Sequence, residues 1–380
     1  MDSSTPIVFL TRHYPPNPNI NGESILDLVA YLQNHHKITS TIITTKADFT
    51  GGNVSQKAVG NVISFNQVFK GNNKLTRLLN MLIEGYRLVS KAKKFKNSLI
   101  IVTSSPPLLL MWASLRLKKN YRWAFWAFDL FPEGFYVEKN KRKKSFLYRI
   151  LFKFTYKYIP EFLITLGPKQ AEYLKIQYGS EIEHLNLPCG IFKDQIKDSN
   201  VPNWHRNGRL IFGYCGRLGE AHNPEFLKQV IDHINPNKHL LILVLYGTHS
   251  EEILKYANGR KGITIIDRVP RNQLHFIDVH LASLREEWTH IAVPSKAVSA
   301  ISIGSTFLFC GSKSSDNWHL LKKCGWIIEE NRSIHNQVKE FFETINMEEI
   351  KSKRSNSQSV VSILEGMVSH TYESVAIKVK

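Results

Sequence analysis

Cysteine is scarce, and the four present (Cys189, Cys215, Cys310 and Cys324) fall into no paired or metal-like spacing. Neither a disulfide framework nor a thiolate metal site follows from such scatter, so free thiols in a reducing compartment are expected. No run of about 18 apolar residues occurs, the length a helix needs to cross a bilayer. The opening residues, Met1 to Pro6, lack the basic stretch and long apolar run of a secretory leader, so a cytoplasmic location is expected. Zinc, serine-hydrolase, kinase and Walker strings are all missing. Aromatic residues do not interleave with basic ones as RNA-binding sequences require, so nucleic acid is not an expected partner. Acidic residues are also short: 32 Asp+Glu stand against 50 Lys+Arg, a net charge of +18.

That excess is unevenly placed. Residues 1–195 carry 27 basic and 13 acidic side chains, a net of +14, whereas the remainder carries 23 and 19, a net of +4. An anionic partner for the first half is implied, and charge alone does not say which. Apolar content of 43% across 380 residues suits two globular α/β domains rather than one core or a disordered chain.

Apolar periodicity supports that division. Ile7–Thr11 reads as a strand, followed by a His13-Tyr14-Pro15-Pro16 loop, Gly22, a helix on Ile25, Leu28, Val29 and Leu32, and a strand over Ile38–Thr45. This is the opening of a parallel βαβ unit. Leu99–Thr103 and Arg122–Phe128 read as further strands of a domain covering residues 1–195. Pro, Asn, Asp and Ser accumulate from Leu187 to Trp204, where a linker is expected. A second α/β domain, 205–355, restarts with strand Leu210–Tyr214 and a Cys215-Gly216-Arg217-Leu218-Gly219 turn. Its later strands include Leu240–Tyr246, Asp278–Leu284 and Thr306–Cys310, with a helix from Ser295 to Ile303. Residues 356–380 read as terminal helices expected to cross back to the first domain.

Several segments carry chemistry. Gly216 and Arg217 follow a strand, where α/β sheets hold ligands; the glycine lets a diphosphate approach and the arginine binds it, although a plain turn would look the same. Pro294 suits a first helical turn, with Ser295 and Lys296 beside free N–H groups that attract phosphate; a solvated helix start is the alternative. Asp129 and Glu133 fit a base and its orienting group, or an acid pair at a helix start. His222 reads equally as a surface residue or a phosphate contact, and Gly22 as a close-approach or ordinary loop glycine.

Residues 139–157 hold Lys139, Lys141, Arg142, Lys143, Lys144, Arg149, Lys153 and Lys157 with no acid. Arg149, Lys153 and Lys157 share one face of a helix whose other positions, Phe146, Leu147, Ile150, Leu151 and Phe154, are apolar. Such a helix suits an anionic membrane surface; a domain helix with a buried apolar side is the alternative.

Taken in order, these strings resemble the family 4 retaining glycosyltransferases of GT-B fold, nearest the bacterial branch that adds sugars, often N-acetylated amino sugars, to O-antigen, capsule or exopolysaccharide precursors. The resemblance spans nearly the whole chain. It rests on His13-Tyr14-Pro15-Pro16 with Gly22, Thr103-Ser104-Ser105-Pro106-Pro107, Asp129-Leu130-Phe131-Pro132-Glu133, Gly216 through His222, Arg268-Val269-Pro270, and Asp278-Val279-His280-Leu281 leading to Val293-Pro294-Ser295-Lys296. It implies two Rossmann-like domains across a cleft and a nucleotide-sugar donor, UDP-linked, held mainly by the second. Arg217 and Lys296 would neutralise the leaving diphosphate, with Ser295 and the helix N-terminus donating hydrogen bonds. Backbone at Arg268 and Val269 would hold the base, and Gly22 would let the first-domain loop approach the phosphates. Asp129 joins Arg217 and Lys296 as the catalytic set, and Gly216, His222 and Ser299 complete the donor contacts. The acceptor implied is a polyprenyl-diphosphate-linked saccharide, meeting Lys143, Lys144, Arg149, Lys153 and Lys157 on a peripheral membrane face. No cofactor and no metal are implied, because cationic side chains do the neutralising.

Three positions depart from the family pattern. Phe128 stands where many relatives place His or Gln before the aspartate. Ser299 stands where the second of two paired glutamates is expected. The lysine that follows the Gly-Arg turn is missing, although Ala221-His222 matches a variant within the branch. A catalytically silent scaffold in a polysaccharide assembly complex, or a nucleotide-sugar epimerase, are the rival expectations.

Overall fold

The computed structural model describes residues 6–16, 19–46, 56–66, 68, 74–137, 145–192, 197–206 and 208–380. Two compact units result: Met1–Cys189 with Gly366–Lys380, and Gly190–Glu365.

The first unit is built on β1 (Ile7–Leu10), α1 (Ile20–His36), β2 (Ser40–Lys46), β3 (Asn61–Asn66), α2 (Lys74–Ala92), β4 (Leu99–Thr103), α3 (Leu109–Leu117), β5 (Trp123–Trp126), α4 (Phe146–Thr155), β6 (Leu163–Thr165), α5 (Pro168–Tyr178) and β7 (His184–Asn186). Its strands form one parallel sheet in the order β3-β2-β1-β4-β5-β6-β7. Ile7 of β1 lies level with Ser40 of β2 and Leu99 of β4. Strands β1 and β4 are buried at every position, as a sheet covered on both faces demands, which is why they read as unbroken apolar runs. Helix α1 starts where the Asn19 side chain accepts the Asn21 N–H at 2.9 Å and turns Ile25, Leu28, Val29 and Leu32 inward. Helix α5 begins on Pro168 and ends at Gly179, whose φ of 61° places it in the left-handed region.

The second unit holds β8 (Leu210–Arg217), α6 (Pro224–His233), β9 (His239–Tyr246), α7 (Ser250–Ala257), β10 (Ile263–Ile265), β11 (Val279–Ser283), α8 (Ser295–Ser302), β12 (Thr306–Gly311), α9 (Asp316–Leu321), β13 (Gly325–Glu329), α10 (Ile334–Thr344) and α11 (Met347–Ser355). Its sheet, again parallel, runs β10-β9-β8-β11-β12-β13. Phe212, Tyr214, Leu241, Leu243 and Leu281 pack on one face against Phe226, Leu227 and Val230 of α6 and Val338 and Phe341 of α10. Each such large side chain contributes about 1.5–3 kcal/mol by leaving water, so a charge at Val230 would break this layer. Ile211, Leu240, Ile242 and Ile277 cover the other face.

The final helix, α12 (Ser357–Val379), counts with the second unit to Glu365 and with the first from Gly366. Its end is tied to the first unit by polar contacts. Thr371 donates to the Asn186 carbonyl at 2.9 Å, Arg122 donates to the Lys378 carbonyl at 2.8 Å, and Lys378 pairs with Glu183 at 2.7 Å. Tyr31 of α1 donates to Glu373.

Both sheets carry the reversal of strand order that makes a crevice at their carboxyl ends, between β1 and β4 and between β8 and β11. Strand β8 does not stop at Tyr214; pairing with β9 continues to Arg217 opposite Tyr246, so Gly216 and Arg217 belong to the strand end rather than to a turn beyond it.

Candidate functional site

In the second unit, β8 delivers Arg217 to the sheet edge beside the β8/β11 crevice, and α8 brings Lys296 to the same place. The Lys296 ammonium donates to the Arg217 carbonyl at 3.0 Å and meets His222 Nε2 at 3.3 Å. It also lies 5.0 Å from the centre of the Tyr214 ring, a cation–π distance. Gly216 sits at a φ of 127°, and a Cβ there would come within 3.3 Å of the Lys296 stem. A left-handed backbone and the nearness of lysine both call for glycine at this point.

His222 is oriented from behind. Its Nδ1 is 2.7 Å from the Ser283 carbonyl at the end of β11. A carbonyl only accepts, so Nδ1 carries the hydrogen and Nε2 presents its lone pair to Lys296. Burial, then the Lys296 charge, pushes the imidazole down to about 3, so it is neutral at physiological pH. Lys296 is itself lowered to about 8, by burial first and by Arg217 in part.

Arg217 is held differently. Its side chain passes over Gly219 and Gly247, where added Cβ atoms would meet its Nε at 3.2 Å and its Cγ at 3.1 Å. Among the described residues its guanidinium has no hydrogen-bond or ion-pair partner, and no carboxylate faces Lys296. Two cations therefore share a strand edge without a counter-ion, an arrangement that attracts a polyanion.

Helix α8 opens at Pro294 with no side chain capping its first N–H groups. Asn317, buried at the start of α9, anchors the Pro294 carbonyl at 2.7 Å. Ser295 and Ser299 both pack against Gly190, whose φ is 92°, and Ser299 donates to the Gly190 carbonyl at 2.9 Å. The Ser299 hydroxyl hydrogen, expected among the donor contacts, is thus spent on the chain's own backbone. Val269 packs on the Ile211–Ile277 layer beneath the sheet, and Arg268 is exposed beyond β10, two strands from β8.

In the first unit Asp129 is exposed just after β5. The backbone before it is clamped: the Phe128 N–H donates to Ser104 at 3.0 Å, and Gln170 donates to the Phe128 carbonyl at 2.8 Å. Asp129 is near enough to Cys189 to help burial push that thiol up to about 12. Glu133 lies in a different environment. It is fully buried and accepts hydrogen bonds from Tyr156 at 2.7 Å and Tyr173 at 3.2 Å. A base with an adjoining orienting carboxylate is therefore not what these two residues form; Glu133 anchors a tyrosine cluster. Gly22, buried in α1, lets the His13–Tyr14 loop lie against the helix, since a Cβ would be 3.1 Å from the His13 carbonyl oxygen.

Lys143 and Lys144 lie outside the described residues. Helix α4, capped by Ser145, ends at Thr155 with Tyr156 as its cap, so Lys157 stands beyond the helix rather than on it. Arg149, Lys153 and Lys157 are exposed. The helix does not bury its whole apolar side. The Tyr148, Phe152 and Tyr156 rings pack in sequence on the covered side, while Phe146 is 71% exposed, Leu147 54% and Phe154 36%.

No family model and no curated protein matches the chain. Solved structures do, and they define its class: the fold is GT-B, made of two Rossmann-like α/β domains. Among them are a trehalose-6-phosphate structure from E. coli bound with UDP-2-fluoro glucose (12% identity, 98% of each chain, TM-score 0.68) and WaaG, a glycosyltransferase involved in lipopolysaccharide biosynthesis (14%, 95% of this chain and 98% of that one, 0.65). A third is Anabaena HepE in complex with UDP and glucose (14%, 97% of this chain and 99% of that one, 0.64).

Tyr214, Ser283, Gly190, Gly247 and Asn317 escaped the sequence reading. Gly247, closing a strand, was the one with a visible signal. The others contribute through backbone carbonyls, ring faces and buried packing, which one sequence does not display.

Proposed function

We propose that the chain is a retaining glycosyltransferase that moves a sugar, hexosyl or N-acetylhexosaminyl, from a UDP-linked donor to a polyprenyl-diphosphate-linked saccharide in surface polysaccharide synthesis. The observation that carries this reading is the pair of uncompensated cations, Arg217 and Lys296, at the β8/β11 crevice. Similar folds bound with UDP-2-fluoro glucose or with UDP and glucose support it.

Arg217 and Lys296 hold the diphosphate and stabilise the charge that grows as the glycosidic bond to it breaks. The acceptor hydroxyl attacks from the face the diphosphate leaves, so no protein nucleophile is needed. These two side chains supply the neutralisation, so the reading assigns no metal. Gly216, Ser295 and the start of α8 line the phosphates, and the backbone at Arg268 and Val269 takes the base. Asp129, exposed on its clamped loop, takes the proton of the acceptor hydroxyl.

The first unit supplies the acceptor side. Helix α4 shows Phe146, Leu147 and Phe154 to solvent among Arg149 and Lys153, with Lys157 just past its end, which supports peripheral contact with an anionic membrane on the cytoplasmic face. No helix among the described residues is long and apolar enough to cross a membrane.

Titrating UDP, GDP, ADP and CMP into the purified protein and into Lys296→Ala tests the donor site. Tight binding of UDP that the substitution abolishes is expected. A well-folded protein that binds none of the four would point instead to a silent scaffold.

A further inference from the structure

We infer that His222 is a positioning residue for Lys296 rather than a ligand contact: it holds the lysine in place and keeps it protonated. The inference rests on the donor-site reading for its functional consequence, but not for its geometry.

The imidazole has two polar atoms, and both are committed. Nδ1–H donates to the Ser283 carbonyl at 2.7 Å, and Nε2 stands 3.3 Å from the Lys296 ammonium. With Nδ1 carrying the hydrogen, Nε2 only accepts, so the hydrogen at this contact belongs to lysine. An ammonium in a half-buried site beside Arg217 loses its proton readily, and each acceptor turned toward it opposes that loss. Two such acceptors exist, the Arg217 carbonyl and His222 Nε2. They occupy two of the three ammonium hydrogens, and the centre of the Tyr214 ring lies 5.0 Å from the ammonium. A protonated histidine would turn a second donor toward lysine and undo the arrangement. Burial and the Lys296 charge keep it neutral.

The other charged or titratable groups near the pair are few. Arg217 acts on both members, Cys215 adjoins Lys296, and His249 adjoins His222. None is a carboxylate, so among the described residues the Arg217 carbonyl is the acceptor left to the ammonium once the imidazole is removed. This gives a physical role to a histidine standing near the place where the family pattern has a phosphate-binding lysine. Here the histidine secures the ammonium that α8 supplies.

Two substitutions separate the atoms. In His222→Asn the side-chain amide reaches the Ser283 carbonyl but leaves Lys296 without its acceptor. In His222→Gln the longer amide offers an oxygen to Lys296. Lysine side-chain NMR titration, with carbon-13 at Cε, reads the Lys296 midpoint directly and needs no nucleotide. The wild-type midpoint near 8 is expected to fall by about one pH unit in His222→Asn and to recover largely in His222→Gln. UDP affinity, measured alongside, should drop about threefold at pH 7.5 in His222→Asn, approach a tenfold loss by about pH 9 and barely change at pH 6, as a midpoint lowered by about one pH unit requires. An unchanged Lys296 midpoint in both variants overturns the inference. So does a loss of UDP affinity of equal size at every pH, which would make His222 a direct ligand contact. A shifted midpoint in a protein that never binds UDP would keep the positioning role and discard the donor site.

Discussion

Gly190→Ala is the sharpest structural test of how α8 is held. Gly190 has a φ of 92°, and an added Cβ would lie 2.9 Å from the Ser295 Cβ, 2.9 Å from the Ser299 hydroxyl and 3.0 Å from the Ser295 carbonyl oxygen. The left-handed backbone costs an alanine about 1–2 kcal/mol, and forcing a methyl into packed surroundings costs about 1–3 kcal/mol more. The two together destabilise the second unit by about 2–5 kcal/mol. The damage falls on the first turn of α8 and on the Ser299–Gly190 hydrogen bond, so Lys296 should shift with it. The assay is urea unfolding of the variant with UDP titration under native conditions. A weakened unfolding transition and weaker UDP binding are expected. Adding Ser299→Ala removes one of the three close contacts without placing a glycine inside the helix, and should return part of the packing cost while leaving the backbone penalty in place. If Gly190→Ala unfolds within about 0.5 kcal/mol of the parent and binds UDP equally well, α8 is not held by its packing on this glycine.

Other outcomes follow from the same geometry. Arg12 donates through Nε to the fully buried Glu84 at 3.0 Å, so Arg12→Ala leaves a buried carboxylate unpaired and should cost the first unit about 3–5 kcal/mol in urea unfolding. UDP affinity should fall as pH rises past about 8: free Lys296 loses its proton there, whereas a bound diphosphate raises its pKa, so binding takes up a proton and weakens by up to about tenfold per pH unit. Isothermal titration from pH 6.5 to 9.5 reads this, and a flat profile would remove Lys296 from the phosphate site. Replacing Arg149, Lys153 and Lys157 by glutamate should abolish sedimentation with anionic vesicles while changing unfolding by only about 0.5 kcal/mol, because all three are exposed. Unchanged vesicle binding would dismiss α4 as a membrane contact.

Much of the architecture was legible because parallel strands buried on both faces leave unbroken apolar runs. Ile7–Leu10, Leu99–Thr103 and Leu210–Tyr214 announce themselves in this way. Strand β3 did not: it lies at the sheet edge, and four of its six positions are exposed. The end of β8 was misread because glycine and arginine look like a turn, whereas pairing with β9 carries them onward to Tyr246. Within the site, Arg217, His222 and Lys296 were visible as residue types after strands and at a helix start. Their grouping was not, since it depends on a carbonyl at Ser283 and a ring at Tyr214 that only the folded sheet brings near. Glu133 shows the converse. Its spacing from Asp129 suggested a working pair, and burial against Tyr156 and Tyr173 gives it a structural task.

The central claim is that Arg217 and Lys296 hold the distal phosphate of a nucleoside diphosphate. The most direct measurement compares UDP with UMP on the parent protein, Arg217→Ala and Lys296→Ala. The parent should bind UDP far more tightly than UMP, and each substitution should shrink that preference while changing UMP binding little. A parent protein that binds UMP as well as UDP, or a preference that survives both substitutions, would contradict the account.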